Sequence, residues 1–287
     1  MANLKEIRNR ITSIGSTMQI TSAMKMVSAA KLKKAQDAIV AMRPYSSKLT
    51  ELLQNLSATL DSDASGEYST QREVSKVLIV VVTSNRGLCG GFNSSITKEV
   101  TKTINAKYAD KQVDLFAIGK KGASLAKQYK VVATRNDIFD DLTFNNVAAI
   151  AEKLMELFVD GSYDKIELVY NQFKNAATQL PQVEQFLPIK PIEGGDANAV
   201  NSDYIFEPSK EEIVEALIPK SLKTQLYKAI RDSFASEHGA RMTAMHKATD
   251  NAKDLRDDLL LTYNKARQAA ITNEILEIVG GAEALNN

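Results

Sequence analysis

Reactive side chains are scarce in this chain of 287 residues, which contains one cysteine (Cys89), two histidines and no tryptophan. A single cysteine excludes a disulfide within the chain and is typical of a reducing compartment. No long apolar run occurs, so a transmembrane helix is not expected. The first residues are charged from Lys5 onward and lack the apolar core of a signal peptide. These absences predict a cytoplasmic protein without a membrane span.

Neither sign of charge dominates the whole chain, whose formal net charge is +1. The total therefore indicates neither nucleic acid nor an acidic substrate as a partner. The first sixty residues nevertheless carry nine Lys and Arg against three acidic residues. This basic segment predicts either a solvated face or a contact with an acidic protein surface or with nucleic acid.

Glycine and proline are almost absent from the first sixty residues, which hold only Gly15 and Pro44. Positions spaced alternately by three and four form one heptad frame, in which thirteen of seventeen members are apolar if alanine is counted. The frame consists of Leu4, Ile7, Ile11, Ile14, Met18, Thr21, Lys25, Ser28, Leu32, Ala35, Ile39, Met42, Ser46, Leu49, Leu53, Leu56 and Leu60. This period predicts a long helix that packs against a second helix.

The frame turns polar between Thr21 and Ser28, whereas Ile20, Met24 and Val27 form an apolar stripe one position earlier. One explanation is a stutter in the coil. The other is a second contact surface that faces a partner, which is the interpretation we favour.

A second long helix is predicted from residue 209, with Ser209 as its N-cap, a break or kink at Pro219 and an end at Gly280 and Gly281. Its heptad frame consists of Met245, Ala248, Ala252, Leu255, Leu259, Thr262, Ala266, Ala269, Asn273 and Leu276. Small residues at many of these positions permit close approach of a neighbouring helix.

Both predicted helices are too long to fold inside a central domain. Helices over residues 4–58 and 220–279 would be about 80 and 90 Å long, whereas a domain of about 130 residues has a radius of gyration of about 14 Å. We expect an antiparallel coiled coil that projects from the domain. The longer second helix would end in unpaired apolar turns, which need a protein cover. These turns contain Ile271, Ile275, Leu276, Ile278 and Val279.

The middle of the chain alternates between strand and helix patterns. Residues 77–82 form a continuous apolar run that is typical of a strand buried on both faces. Further strands are predicted over 112–118, 130–134, 165–172 and, as a hairpin return, 182–189, with helices over 94–108, 120–128 and 145–159. The pattern predicts a Rossmann-like α/β domain with a mostly parallel sheet. The expected division is an N-terminal coiled-coil helix over 1–60, a central α/β head over 74–206 and a C-terminal coiled-coil helix over 209–287.

The loop after the first strand is where an open α/β domain would hold a ligand. Its sequence, GLCGG at 87–91, matches neither G-x-G-x-x-G nor the phosphate loop. Cys89 would need a neighbouring base to be a nucleophile, and both histidines, His238 and His246, fall on the C-terminal helix. Their spacing also suits no metal site. We expect no catalytic residue, no cofactor and no metal.

Long motifs at both ends resemble the γ subunit of F-type ATP synthases. They are IRNRITSIGSTMQITSAMKMVSAAKLKKAQ and SEHGARMTAMHKATDNAKDLRDDLLLTYNKARQAAITNEILEIVGGAEAL, and the loop SNRGLCGGFN is similar to the head loop of that family. The resemblance implies a bacterial rotor shaft, driven by protons or sodium, that performs no bond chemistry. Its partners would be three α and three β subunits around the shaft, with ε and the membrane c ring at the head. It would lie at the cytoplasmic face of the plasma membrane.

Three groups of contact residues are also implied by the resemblance. Those for the acidic lever loops of the β subunits are Met24 and Lys25. Those for the β-subunit catch loops are Arg267, Gln268, Thr272 and Glu274. Those for the c ring are Tyr204 and Glu207. The alternative for each is an ordinary seam or surface residue.

Two other functions are alternatives to the rotor, and substitution of Cys89 distinguishes one of them, an enzyme, from the rotor. A coiled-coil scaffold with an α/β sensor head would self-associate and need no hexameric sleeve. A small α/β enzyme using Cys89 would lose its activity on Cys89→Ser. For the rotor we predict that Cys89→Ser leaves ATP synthesis by the assembled complex almost unchanged. Loss of that activity with assembly intact would favour the enzyme.

Overall fold

The computed structural model describes residues 4–57, 67–189 and 210–285. Two long helices, α1 (Leu4–Ser57) and α4 (Lys210–Leu285), stand at the two ends of the chain. The elements between them are β1 (Lys76–Val82), α2 (Phe92–Lys107), β2 (Gln112–Ile118), β3 (Lys130–Arg135), α3 (Phe144–Val159), β4 (Lys165–Phe173) and β5 (Gln179–Leu187). Short 3-10 segments cover Glu67–Ser69, Lys120–Lys127 and Asp137–Phe139. The predicted arrangement of long terminal helices around a strand-rich centre is confirmed.

The five strands form one sheet in the order β3-β2-β1-β4-β5. The first four are parallel, and β5 returns antiparallel to β4, as the hairpin prediction required. Alternate residues of β1 enter two separate apolar layers, because α2 covers one face and α3 with part of α4 covers the other. Burying each such Val, Leu or Ile stabilises the fold by about 1.5–3 kcal/mol. This explains the unbroken apolar run of β1.

The predicted helix over 120–128 is instead a tight 3-10 segment over Lys120–Lys127. Gly119, just before it, has a φ of +100°, and a Cβ there would lie 2.2 Å from the Thr83 carbonyl oxygen. The backbone N–H of Gly122 then donates to Thr83 Oγ1 at 2.8 Å. These contacts hold the start of the segment against the end of β1, where a 3-10 turn forms in place of the predicted helix.

The chain divides into two compact units, and each of the two long helices contributes one part to each unit. Unit 1 comprises residues 1–28 and 242–287, and unit 2 comprises residues 29–241. The heptad frame of α1 is confirmed in both, since each described member is buried or half-buried. The polar members of the frame are also buried or half-buried. In unit 1, Thr21 Oγ1 lies 2.8 Å from Thr249 Oγ1 of α4. The Ser28 hydroxyl donates to the Met24 carbonyl oxygen at 2.7 Å, which satisfies its polarity inside the seam.

The predicted frame of α4 is wrong in part. Leu255 is 51% exposed, whereas Arg256, one residue later, is half-buried. Between residues 245 and 270, the least exposed positions are Met245, Ala248, Thr249, Ala252, Arg256, Leu259, Tyr263, Ala266 and Ala270. The seam therefore steps by four and then three after Ala252, and Thr262 and Ala269 lie outside it. Arg and Tyr enter it because their long apolar stems can be buried while their polar ends reach water.

The predicted end of α4 is also wrong, because the helix continues through Gly280 and Gly281 to Leu285. A glycine weakens a helix by only about 1 kcal/mol relative to alanine, and this cost did not end α4 at these two residues. Pro219 likewise lies inside the helix. The buried side chains of Ile218 and Leu222 hold the backbone on both sides of this proline. The predicted N-cap Ser209 and loop 191–203 lie outside the described residues.

None of the helical stretches in the described ranges has both the length and the apolar character needed to cross a bilayer.

Two glycines inside long helices should respond oppositely to alanine. A Cβ on Gly239 would lie 3.1 Å from Ala176 Cα and 3.3 Å from its carbonyl oxygen, whereas a Cβ on Gly15 would meet nothing within 4 Å. We expect Gly239→Ala to lower the free energy of unfolding by about 1–3 kcal/mol through overpacking. Gly15→Ala should raise it by up to about 1 kcal/mol. Urea unfolding followed by circular dichroism measures both, and a stabilising Gly239→Ala would contradict the prediction.

Candidate functional site

The ligand position of an open α/β sheet lies at the carboxyl ends of the strands where the strand order reverses. In this sheet that point falls between β1 and β4. The crevice is occupied by residues 236–241 of α4. Ser236 Oγ donates to the Asn171 carbonyl oxygen at 3.1 Å, at the end of β4. Arg241 Nη2 donates to the carbonyl oxygens of Arg86 and Gly87 at 3.1 and 3.3 Å, in the loop after β1.

Cys89 lies in the wall of this crevice and is buried with Phe92 and Ala240. Burial raises the pKa of its thiol, against a smaller lowering by Ser84 and Arg241. Asn93 Nδ2 donates to Cys89 Sγ at 3.2 Å. A protonated, hydrogen-bonded thiol packed against an apolar side chain is suited to structure rather than to nucleophilic attack.

His238 also lies in this part of α4, with its ring edge-on to Phe234 at 4.5 Å between centroids. Burial, and to a lesser degree the charges of Arg241 and Lys31, lowers the pKa of His238 to about 3. The imidazole is therefore neutral. Across the described ranges, no group of three or more His, Cys, Asp or Glu side chains is placed to hold a metal ion.

A buried ion pair at the end of this segment escaped the sequence analysis. Arg241 Nη1 lies 2.7 Å from Glu237 Oε1, and each side chain is only 9% exposed. Burial raises the pKa of Glu237, while Arg241, Lys31 and Arg86 oppose that rise. The available signal was a Glu and an Arg four residues apart, a spacing that usually marks an exposed helix pair.

The predicted β-contact residues Met24 and Lys25 are half-buried in unit 1. Beside them, Ile20, Met26 and Val27 project from α1, and Met26 is 64% exposed. We call these three side chains the α1 stripe. Two of them were predicted from the apolar pattern. Met26 was missed, because it falls outside the period of that pattern.

The other predicted β-contact residues, Arg267, Gln268, Thr272 and Glu274, are all exposed on α4 in unit 1. Every residue from 271 to 282, a segment we call the α4 tip, is exposed. Its large apolar side chains are Ile271, Ile275, Leu276, Ile278 and Val279, and Ile278 is 72% exposed.

The predicted c-ring residues Tyr204 and Glu207 lie outside the described residues. The last described residue before them, Ile189, lies in unit 2, where its backbone N–H donates to the Tyr68 carbonyl oxygen at 3.0 Å.

Comparisons with known proteins show which family this chain is similar to. The protein-family model described as ATP synthase matches residues 3–285. The ATP synthase gamma chain of Flavobacterium johnsoniae is 74% identical over 287 residues and covers all of both chains. That of Flavobacterium psychrophilum is 73% identical over 286 residues, with 99% of each chain covered.

This chain belongs to the family of ATP synthase gamma chains. Membership confirms the resemblance and makes the chain a subunit of an ATP synthase. A solved structure of the Tetrahymena thermophila mitochondrial ATP synthase, of its central stalk and c ring, is similar with a TM-score of 0.60 and 29% identity. It covers 80% of this chain and 99% of that chain. A chain in the Euglena gracilis rotor has the same fold, with a TM-score of 0.67, 22% identity and coverage of 93% and 98%.

The neutral His238 should make the folded chain sensitive to acid. Its pKa is about 3 in the folded chain and about 6.5 when unfolded, so the unfolded chain binds a proton that the folded chain does not. The contribution of the neutral His238 to the free energy of unfolding is fully present above about pH 6.5. It falls by up to about 1.4 kcal/mol per pH unit as the pH drops toward 3. His238→Gln should flatten this slope between about pH 7 and 5, measured by urea unfolding.

The exposed His246 provides the matched control, because His246→Gln also removes one imidazole from α4. Equal slopes for wild type and His238→Gln would show that His238 is not the group responsible.

Proposed function

We propose that this chain is the central rotor shaft of a bacterial rotary ATP synthase driven by protons or sodium. It couples rotation of the membrane c ring to the conformational cycle of the catalytic β subunits and performs no bond chemistry itself. The observation that carries the proposal is the apolar surface that the paired helices of unit 1 leave exposed.

The α1 stripe supports a surrounding sleeve of protein. Its three large apolar side chains are each more than half exposed, although α1 has already buried its seam. Several large apolar side chains exposed along one short stretch of helix mark an interaction site. Lys25 lies beside the stripe and is half-buried. We infer that Met24 and Lys25 meet acidic lever loops of the β subunits.

The α4 tip supports the same partner. An isolated helical end rich in Ile, Leu and Val is marginal in water, because most helix stability in proteins comes from packing of an apolar face. A ring of three α and three β subunits would bury the tip. The polar side chains of Arg267, Gln268, Thr272 and Glu274 then provide directional contacts to the β-subunit catch loops.

The head provides the other end of the coupling. We infer that Tyr204 and Glu207 contact the c ring, with the ε subunit beside them, and that the chain is peripheral at the cytoplasmic face of the plasma membrane. The absence of chemistry is supported by two features of unit 2. Residues of α4 occupy the crevice at the carboxyl edge of the sheet, and burial keeps the Cys89 thiol protonated.

Co-expression with α and β subunits from a related bacterium tests the proposal. We expect a stable complex whose ATPase activity requires this chain, and ion pumping when ε and the membrane sector are added. A chain that self-associates and leaves α and β unassembled would support the scaffold alternative instead.

Joint replacement of Arg267 and Gln268 by alanine tests the contact at the catch loops. Truncating a contact residue at a well-packed interface costs about 1 kcal/mol or more, so ATP synthesis in membranes should fall several-fold. The far-ultraviolet circular dichroism of the isolated chain should stay unchanged, because both residues are exposed on α4. Lys153→Ala, an exposed change on α3, is the control. Unchanged ATP synthesis in the double variant would remove these two residues from the interface.

A further inference from the structure

Residues 236–241, the last of α4 in unit 2, contact three different chain segments at the carboxyl edge of the sheet. Ser236 bonds to the end of β4 through the Asn171 carbonyl oxygen. Gly239 lies against the backbone of Ala176 in the turn between β4 and β5. Arg241 bonds to the loop after β1 through Arg86 and Gly87. We call this arrangement the socket.

The socket residues face two sides of the helix. Ser236 and Gly239 are three positions apart and lie on the same side of α4, whereas Arg241 is five positions after Ser236 and lies about 140° away around the helix axis. Hydrogen bonds depend on direction as well as distance. Rotation of the helix about its own axis would therefore break the hydrogen bonds to β4 and to the loop after β1, whereas a purely apolar contact would permit slip.

The charges inside the socket are paired with each other. Arg241 binds the Glu237 carboxylate and still donates to two loop carbonyl oxygens. Planar guanidinium groups suit such multiple fixed contacts better than lysine does. Hydrogen bonds from a charged donor are also stronger than neutral ones. The buried Glu237 thus holds the guanidinium in the position from which it binds the loop.

The wall that Arg241 grips is itself firmly held. Ser84 and Asn93 bond to each other across the loop after β1, with Asn93 Nδ2 donating to Ser84 Oγ at 2.8 Å. The Ser84 backbone N–H donates to Asn93 Oδ1 at 3.1 Å. Ser84 Oγ also donates to the Arg86 carbonyl oxygen at 2.7 Å. The first residues of α2 are therefore tied to the carbonyl group that Arg241 binds.

We propose that the socket transmits torque between α4 and the sheet, with Arg241 and Glu237 as the positioning residues that prevent rotational slip. The crevice that holds a ligand in other open α/β sheets holds the chain's own helix in this protein. This inference rests on the proposed rotor function. It adds where in the head the twisting load is carried.

The test uses the complete complex in inverted membrane vesicles, with ion uptake measured per ATP hydrolysed. In Glu237→Gln/Arg241→Met both buried charges are removed together, which leaves neither group uncompensated. At zero ion gradient we expect the wild-type ratio. Against a rising opposing gradient the ratio should be lost earlier than in wild type, because the load must pass through the weakened socket.

A second readout is local to the socket wall. Two charge-assisted hydrogen bonds to the loop after β1 are removed, so its amide hydrogens should exchange roughly tenfold faster. Arg241→Lys keeps the charge without the guanidinium fork and should fall between wild type and the double variant in both measurements. Arg135→Ala is the matched control, because it removes an exposed ion pair with Asp137 near the carboxyl end of β3.

The outcomes separate this inference from the proposed function. If the wild-type complex hydrolyses ATP without pumping ions, the rotor function is wrong. If wild type pumps and the double variant keeps the wild-type ratio at every gradient, the socket does not carry the load. Should the double variant fail to assemble, the Arg241→Lys complex decides the question by the same ratio.

Discussion

The continuity of α4 is the constraint on which the rest of the structure depends. A single helix runs from Lys210 to Leu285, with Pro219 inside it lacking a backbone N–H to donate, and along this helix the surroundings change completely. Leu222, Leu226 and Ile230 are buried against the sheet, whereas the α4 tip is exposed. A helix held only by its own hydrogen bonds is marginal in water. Packing against the sheet therefore stabilises the part of α4 in unit 2, and the seam with α1 stabilises much of the part in unit 1.

Periodicity in the sequence was enough to predict the long helices and the sheet, because both depend on where apolar side chains repeat. It failed where small energies choose between neighbouring positions. Leu255 is more apolar than Arg256, yet the seam takes the arginine, since the phase of the whole helix fixes which side faces α1. Gly280 and Gly281 cost too little to end an established helix. Tertiary contact with α1, invisible in a single sequence, decided the choice between Leu255 and Arg256, whereas the exposed glycines depend only on the energy of the helix itself.

The socket was beyond sequence reasoning for a different reason. Glu237 and Arg241 are four residues apart, like many exposed pairs, and only the fold shows that both are buried. Only the fold shows that a Cβ on Gly239 would lie 3.1 Å from Ala176 Cα. The contact residues proposed in unit 1 follow from the resemblance to the gamma chain family, which did not predict how exposed each one is. Exposure depends on which helical face the seam leaves free.

The exposed α4 tip also bears on how the cell must make this protein. A chain released without its partners carries five large apolar side chains in water, so surplus copies would adhere to one another or to other unfolded chains. One gamma chain serves six sleeve subunits in the proposed assembly. An equal supply of every subunit would therefore leave most copies of this chain with no sleeve to cover the tip.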